Sequence, residues 1–357
     1  MRNPMQEPTL PAWHDSPFMR AVRREPAAHT PVWLMRQAGR YMAEYRAVRE
    51  RVPFIELCKT PSLCAEVMLT AVERLGVDAA ILFSDLLLIL EPMGLGLEFT
   101  KGEGPVLHHP IRESTEVDRL TELDDCEPLG YVMEAVRQTR AGLDDRLPLI
   151  GFAGAPFTLA AYAIEGGGSR NYLHVKRLMM TDAGAWNALM ARLARSVARY
   201  LIAQIEAGVQ VVQVFDSWVG CLGVDDYRRF VLPHTQAVIE AVESHAPVIH
   251  FGTGNPALLA SQREAGGQVL GADWRIPLDQ AWAAVGHDRA IQGNLDPAVL
   301  LTTPAEIERR VRQILERAGG RAGHIFNLGH GILPQTPVEN AVAMVEAVHA
   351  LSATSLG

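Results

Sequence analysis

Cysteine is scarce in this chain, and the four cysteines that occur form no recognisable framework. Cys58, Cys64, Cys126 and Cys221 include no C-x-x-C pair and no cluster with histidine. This excludes a disulfide scaffold of the kind found in small secreted proteins and argues against a structural zinc site. Reduced thiols in the cytoplasm are the simplest interpretation. No basic segment followed by an apolar stretch marks a signal peptide at the N-terminus.

A net positive charge and a long unbroken apolar run are also lacking. The net charge of −8 at pH 7 argues against a nucleic-acid partner and gives no attraction to anionic membranes. The uncharged stretch 147–164 is interrupted by Pro148, Gly151, Gly154 and Pro156, so it predicts a buried strand, a turn and a helix rather than a membrane span. An anionic substrate would therefore need arginines concentrated at its own site.

Short apolar runs alternate with helical patterns along the chain. Eight runs are candidate strands: 32–35, 79–83, 147–152, 209–215, 247–251, 268–272, 290–292 and 324–327. Runs without polar alternation fit strands that are buried on both faces of a parallel sheet. Eight strand–helix units predict a (β/α)8 TIM barrel as one catalytic domain over residues 29–357, after a partly irregular N-terminal arm at 1–28. A doubly wound open sheet is the alternative, although no glycine fingerprint for a nucleotide follows the first run.

Helices are predicted over four of the intervening segments, 62–75, 186–207, 304–318 and 338–351. The last two follow Thr303-Pro304 and Thr336-Pro337. Each pair is typical of an N-cap residue followed by proline at the first helical position.

The segment that most strongly suggests chemistry is 35–41, MRQAGRY, directly after the first apolar run. Arg36 and Arg40 have a glycine between them, which suits a turn leaving a strand better than a helix interior. Such a turn can direct two guanidinium groups and several backbone N–H groups at one anionic ligand. Two surface arginines at helical spacing remain the alternative interpretation.

Further polar residues follow other predicted strands, where catalytic residues of a barrel are expected. Asp85 stands among apolar residues after the second run. It is either a helix cap or ion-pair partner of Arg36, or a carboxylate in an apolar cleft that faces N–H donors or a developing cation. His330 lies between two glycines after the last run, a position that favours contact with a ligand. A lone histidine is nevertheless a weak signal.

Three other residues at strand ends allow structural explanations as well. Tyr162 could be a core aromatic whose hydroxyl finds a partner. Ser217 lacks the G-x-S-x-G elbow of a hydrolase nucleophile, which favours a hydrogen-bond donor or a cap. Asp216, beside it, could be a strand-end cap only.

Two segments, 35–41 and 151–158 (GFAGAPFT), resemble the signature segments of the uroporphyrinogen decarboxylase family. Four more match in the same order: 83–85 (FSD), 165–169 (EGGGS), 292–297 (QGNLDP) and 327–331 (NLGHG). The resemblance covers about residues 30–350. It implies a (β/α)8 barrel, usually a homodimer, that acts as a carboxy-lyase in haem and porphyrin biosynthesis. The implied reaction converts uroporphyrinogen III into coproporphyrinogen III with release of four CO2, without a metal or an organic cofactor.

The resemblance also assigns residues by position. Those matching substrate contacts are Arg36, Gln37, Ala38, Gly39, Arg40, Asp85, Tyr162, Ser217 and His330. Asp85 matches the central aspartate, implied to bind the pyrrole N–H groups and to stabilise the cationic transition state. Arg36 is the second candidate catalytic residue, as a group that helps to deliver or position a proton.

Two competing functions are open at this point. Some relatives on this fold are methyltransferases that hold zinc with a His-x-Cys pair, but here His250 is followed by Phe251 and Gly252. A non-catalytic tetrapyrrole-binding protein is the other possibility, and turnover would distinguish it from an enzyme.

Overall fold

The computed structural model describes residues 10–100 and 104–353. Within them, seven parallel strands form one sheet in the order β1, β4, β5, β6, β7, β8, β9, and β2 pairs with β3 in an antiparallel hairpin. Nearly all residues of the seven parallel strands are buried, as expected where both faces of a sheet are covered. The strands are β1 (Ala80–Ile81), β2 (Leu97–Thr100), β3 (Gly104–Leu107), β4 (Leu149–Gly154), β5 (Val211–Asp216), β6 (Val248–Gly252), β7 (Val269–Gly271), β8 (Ala290–Gln292) and β9 (His324–Ile325).

A short closing segment (residues 31–33) joins the two edges of this sheet. Val32 forms a parallel bridge with Phe326, directly after β9, and Phe326 N donates to Pro31 O at 2.8 Å. On the other side, Asp78 N, just before β1, donates to Val32 O at 2.8 Å. The closing segment therefore lies between β9 and β1, and the predicted (β/α)8 barrel is confirmed.

Helices follow the strands as predicted, and none in the described part of the chain is long and apolar enough to cross a membrane. The α-helices are α1 (Pro17–Val22), α2 (Ala43–Arg51), α3 (Phe54–Cys58), α4 (Pro61–Leu75), α5 (Gly130–Gly142), α6 (Pro156–Glu165), α7 (Leu173–Thr181), α8 (Ala183–Ala207), α9 (Val224–Phe230), α10 (Leu232–Val242), α11 (Leu259–Ala265), α12 (Leu278–Val285), α13 (Pro304–Ala318) and α14 (Val338–Ser352).

The two predicted threonine caps differ in outcome. Thr303 caps α13, since its hydroxyl accepts a hydrogen bond from Glu306 N at 3.4 Å. The prediction for Thr336 is wrong: α14 begins one residue later, with Pro337 at the N-cap position and no side-chain cap. The Thr336 hydroxyl is buried without a hydrogen-bond partner among the described residues.

The N-terminal arm was predicted to span residues 1–28, of which 1–9 lie outside the described residues. From residue 10 onward it forms a 3-10 helix at Ala12–Asp15 and then α1. Phe18 and Met19 of α1 are buried in the main hydrophobic core. The described part of the arm is therefore packed against the barrel.

A line of polar side chains crosses the barrel interior. Trp33 Nε1 donates to Gln292 Oε1 at 2.9 Å, and Gln292 Nε2 donates to Gln213 Oε1 at 3.0 Å. These residues come from the closing segment, β8 and β5, which are not neighbours in the sheet, so the hydrogen bonds span the barrel. Gln213 Nε2 reaches Met35 Sδ at 3.7 Å. Paired polar groups of this kind satisfy one another and fix the relative positions of the strands.

The side chain of Gln204 in α8 pairs with main-chain groups of β4 at a point where β1 no longer does so. The last ladder bond between those strands is Leu82 N to Ile150 O at 2.8 Å. Two residues further along β4, Phe152 N donates to Gln204 Oε1 and Phe152 O accepts from Gln204 Nε2, both at 2.9 Å. Gln204 is fully buried, so it satisfies two main-chain groups that water does not reach.

Replacing Gln204 with leucine should therefore destabilise the protein by about 2–4 kcal/mol, because it leaves a buried donor and a buried acceptor unpaired. Denaturant unfolding would measure this change. Gln280→Leu, at an exposed position of α12, provides the matched control and should have little effect. Equal stability of the two variants would show that the Phe152 groups find other partners.

Candidate active site

Five segments singled out in the sequence follow the carboxyl ends of strands, which lie at one end of a parallel barrel. Four of their residues lie close enough to act on one another electrostatically. The positive charge of Arg36 opposes the rise in the pKa of Asp85 and in the pKa of Tyr162. The same charge contributes to the lowered pKa of His330. The loops after the closing segment, β1 and β9, together with α6, thus contribute to one candidate site.

Arg36 has a left-handed backbone conformation, with φ of +65°. This conformation is unfavourable for a residue that carries a side chain, and it persists where the surroundings hold it. Here the preceding residue is held from two sides: Met35 N donates to Asn327 Oδ1 at 3.2 Å, and Ile332 N donates to Met35 O at 3.0 Å. Arg36, which is exposed, therefore projects from a fixed backbone.

Gln37 supports this turn from inside the protein. Its Oε1 accepts from Leu34 N at 3.2 Å, and its Nε2 donates to Ala79 O at 3.2 Å. Its carbonyl accepts from the Tyr41 hydroxyl at 2.6 Å. The side chain is fully buried, so the structure gives it a role in shaping the turn, and its predicted substrate contact stays a prediction.

The rest of the segment consists of two small residues followed by an exposed arginine. Ala38 is buried. Gly39 fits where a larger residue would not, since an added methyl would lie 2.9 Å from Arg36 O. Arg40 is exposed, and its carbonyl accepts from Arg46 Nη1 at 3.0 Å. The segment thus presents two exposed arginines on a compact turn.

Asp85 is a half-buried carboxylate in the loop after β1. Burial raises its pKa, while the hydrogen bond from Leu87 N to its Oδ1 (2.9 Å) and the charge of Arg36 oppose that rise. Phe83, two residues earlier, is buried and packs against the ring of Tyr45, with centroids 5.7 Å apart. No ion pair joins Asp85 to Arg36, both of which are described, so the ion-pair alternative is not observed. The carboxylate has one anchored oxygen and an apolar neighbourhood.

Tyr162 projects from α6 and stacks on Trp218, with ring centroids 3.8 Å apart. The ring of Tyr172 meets Trp218 edge-on at 5.2 Å. Burial and the negative charge of Asp85 raise the pKa of Tyr162, so its hydroxyl keeps its proton near neutral pH. Tyr162 is therefore a hydrogen-bond donor within a cluster of three aromatic rings.

Asp216 is the last residue of β5, and it organises the loop that carries Ser217. Thr158 Oγ1, from the second signature segment, donates to Asp216 Oδ1 at 2.9 Å and accepts from Trp218 N at 3.3 Å. Burial raises the pKa of Asp216 to about 7, despite the Thr158 hydrogen bond. Ser217 itself is half-buried, and its predicted substrate contact stays a prediction.

His330 is held in one tautomer. Its Nδ1 accepts a hydrogen bond from Gly331 N at 2.6 Å, which leaves the proton on Nε2. Burial and the charge of Arg36 lower its pKa, so the imidazole is neutral near pH 7. His330 therefore offers an N–H donor without adding charge to the site.

The loop after β7 also belongs to this end of the barrel, and the sequence interpretation missed it. The Trp274 ring lies 6.1 Å from the His330 ring. Asp273 is buried and accepts hydrogen bonds from Thr253 Oγ1 (2.8 Å), Gly254 N (2.8 Å) and Arg275. The signal was available, because the sequence ADWR ends the run at 268–272 just as FSD ends the run at 79–83.

No group of three metal-ligating side chains occurs at this end of the barrel among the described residues. His250, which the transferase interpretation would need, is fully buried on β6, and its Nδ1 lies 3.2 Å from Gln262 O. Burial lowers its pKa to about 4, which makes it a neutral core residue. One group with suitable ligand atoms exists within 10–100 and 104–353, at the opposite end: His29, Asp78 and His349.

Comparison with known proteins agrees with the resemblance. The family model "Uroporphyrinogen decarboxylase (URO-D)" matches residues 14–351. A uroporphyrinogen decarboxylase of Sorangium cellulosum is 57% identical over 344 residues, covering 96% of this chain and 98% of its own. Proteins with the same name from Koribacter versatilis and Carboxydothermus hydrogenoformans are each 53% identical, over 96% and 95% of this chain and 98% and 97% of theirs.

Solved structures share the fold. A methyltransferase from Methanosarcina mazei superposes with a TM-score of 0.81 at 22% identity, covering 95% of this chain and 98% of that one. At that identity the likeness extends to the barrel architecture alone. The family match, by contrast, spans nearly the whole chain, and the relatives are more than half identical to it. This chain therefore belongs to the uroporphyrinogen decarboxylase family.

Proposed function

We propose that this protein decarboxylates uroporphyrinogen III, removing four acetate carboxyl groups to give coproporphyrinogen III and four CO2. The observation that carries the proposal is Asp85, a half-buried carboxylate within the electrostatic reach of Arg36 at the carboxyl end of the barrel. Family membership and the names of relatives 52–57% identical to this chain support it. The proposal includes a homodimer located in the cytoplasm.

The charges of the site match the substrate. Uroporphyrinogen carries eight carboxylates at its edge and four pyrrole N–H groups at its centre. Arg36 and Arg40 are exposed on one turn and can receive carboxylates as bidentate partners. Asp85 is the acceptor for the N–H groups, since an ionised carboxylate only accepts hydrogen bonds.

Loss of CO2 from an acetate arm needs an electron sink. Protonation of the pyrrole ring provides one and places positive charge near the ring nitrogens. A carboxylate fixed at that place stabilises the cation, and the hydrogen bond from Leu87 N keeps Asp85 Oδ1 oriented before the substrate arrives. Asp85 thus acts electrostatically, and the substrate supplies its own electron sink. After CO2 leaves, the methylene carbon takes up a proton from solvent and the ring loses the proton it had gained, so the arm ends as a methyl group.

The hydrogen-bond donors around Asp85 have separate roles in this proposal. Arg36 orients the acetate carboxylate that is lost as CO2 and helps to position the proton that reaches the pyrrole ring. Because a guanidinium keeps its charge, this role is one of orientation. Tyr162 and His330 hold their protons at neutral pH and serve as neutral donors to other carboxylates. The stacked Trp218 keeps Tyr162 from rotating away.

Gly331 provides a test of the Arg36 position. A methyl group added there would lie 2.7 Å from Arg36 Cδ and 3.0 Å from its Nε. Gly331→Ala should displace the guanidinium and raise KM about tenfold, equivalent to about 1.4 kcal/mol of binding. The free energy of unfolding should change by no more than about 0.5 kcal/mol, because the exposed side chain can move. Steady-state kinetics and denaturant unfolding would measure the two effects.

Gly223→Ala is the matched control for this variant. No atom lies within 4 Å of the methyl position at Gly223, so its KM should equal that of the unchanged protein. An unchanged KM in Gly331→Ala would show that the Arg36 side chain does not need its observed position.

The function itself is tested by anaerobic incubation with chemically reduced uroporphyrinogen III, followed by oxidation and chromatography of the porphyrins. Stepwise appearance of seven-, six-, five- and four-carboxyl products, without added cofactor, is the expected result. Tight binding without turnover would instead favour a tetrapyrrole-binding protein. Turnover only with a methyl donor and a corrinoid would favour the transferase.

A further inference from the structure

Three side chains converge at the end of the barrel opposite Asp85. His29 Nε2 lies 2.8 Å from Asp78 Oδ1, and His349 Nε2 lies 2.8 Å from Asp78 Oδ2. The two imidazole rings touch, with centroids 4.5 Å apart. His29 precedes the closing segment, Asp78 precedes β1, and His349 belongs to the last turns of α14. The cluster is thus formed by segments that are distant along the chain.

We propose that His29, Asp78 and His349 bind a divalent transition-metal ion of the zinc type. Imidazole nitrogen and carboxylate oxygen are the donors that such ions take, and two histidines with one carboxylate are a common set. Both imidazoles present Nε2 to the carboxylate, and the ligand atoms of the group lie within 4.8 Å of one another. This site is separate from the proposed reaction and does not depend on it.

The spacing is close to that of a metal site, although the two imidazoles face different oxygens of Asp78 and the ligand atoms, up to 4.8 Å apart, must rearrange around one ion. In a tetrahedral site with bonds of about 2.0–2.1 Å, ligand atoms lie about 3.3 Å apart. The observed Nε2–Oδ distances of 2.8 Å need to widen by about 0.5 Å for an ion to replace the hydrogen bonds. Side-chain exposures of 25% for His29 and 32% for His349 leave a path for the ion and room for a water ligand.

The surroundings orient the carboxylate. Val32 N donates to Asp78 Oδ2 at 2.7 Å, which fixes that oxygen from behind. Hydrogen bonds of this kind to ligating groups are typical of metal sites. Beside the cluster, Thr30 N donates to Ser352 Oγ at 2.9 Å, so the same two ends of the chain already meet there. An ion at this place would tie His29 and α14 to the start of β1.

Such an ion would stabilise the folded protein, because the three ligands come together only after folding. The whole protein, freed of metal with a chelator, would be titrated with Zn2+ alone by calorimetry. One saturable site with a dissociation constant of about 1 μM or lower is expected. The unfolding temperature should rise as the Zn2+ concentration increases.

Matched variants identify the ligands. His349→Gln and His29→Gln should each weaken Zn2+ binding at least tenfold while leaving the decarboxylase activity unchanged, which also shows that they fold. His245→Gln, at an exposed histidine of the loop after α10, should bind as the unchanged protein does. Equal binding by all variants, or equal weakening by His245→Gln, would overturn the proposal.

A second readout needs no variant. Co2+ added to the unchanged protein should give a visible absorption band typical of a four-coordinate ion, and Zn2+ should displace it. Absence of both the band and saturable Zn2+ binding would show that the three side chains form a hydrogen-bonded contact only.

Discussion

Replacing Asp85 with asparagine should lower kcat about 100- to 1,000-fold in a protein that remains folded. The substitution keeps the size of the side chain and an oxygen that can accept from Leu87 N. In the unchanged protein Leu87 N lies 2.9 Å from Asp85 Oδ1. It removes the negative charge that faces the protonated pyrrole in the proposed mechanism. Because that charge is needed most in the transition state, kcat should fall more than substrate affinity.

Single-turnover decarboxylation of uroporphyrinogen III, with separate measurement of binding, would resolve the two effects. Asp145→Asn is the matched control, since that residue is exposed on the loop before β4. Near-normal turnover in Asp85→Asn would exclude the electrostatic role, and a loss confined to KM would make Asp85 a binding residue only.

Removing the Arg36 side chain should reduce kcat/KM about 10- to 100-fold, since a hydrogen bond between charged groups contributes about 1.5–3 kcal/mol. The two simplest replacements should nevertheless differ in stability. Arg36 has φ of +65°, which glycine adopts freely and alanine does not. Arg36→Gly should therefore be more stable than Arg36→Ala by about 1 kcal/mol, although both lose activity.

Arg24 offers a control with the same backbone geometry. Its φ is +58°, and it lies before the closing segment, outside the proposed site. Arg24→Gly and Arg24→Ala should show the same order of stability with full activity. If Arg36→Gly kept the kcat/KM of the unchanged protein, Arg36 would have a structural role only.

Most of the fold could be predicted because buried parallel strands leave a plain sequence pattern. The run at 147–152 corresponds to β4, all of whose residues are buried. The hairpin of β2 and β3 leaves no such pattern, since Leu97–Thr100 is partly exposed and only one residue of β3 is buried. Thr336 shows a similar limit: threonine before proline is compatible with two positions of the helix start, and packing decides between them.

The position of the candidate site could be predicted in outline because residues that follow the strands of a parallel barrel lie at one end of it. This pattern locates Asp85 and His330 at that end of the barrel, and it also applies to Asp273; their contacts with substrate stay predictions. The direction of a side chain is a different matter. Gln37 belongs to the same motif as Arg36, yet it points into the protein and bonds to Ala79 O. That outcome depends on the packing of β1 against the turn, which a motif does not contain.

Closure of the barrel by the segment at 31–33 has a consequence for synthesis. Val32 pairs with Phe326, so its partner is made about 290 residues later in translation. At about 5–20 residues per second, this delay is roughly 15–60 s. During that time the apolar Val32 and Trp33, both fully buried in the finished protein, have no partner strand on one side. The barrel therefore cannot close until Phe326 has left the ribosome, and the apolar edge at 31–33 stays open over this interval.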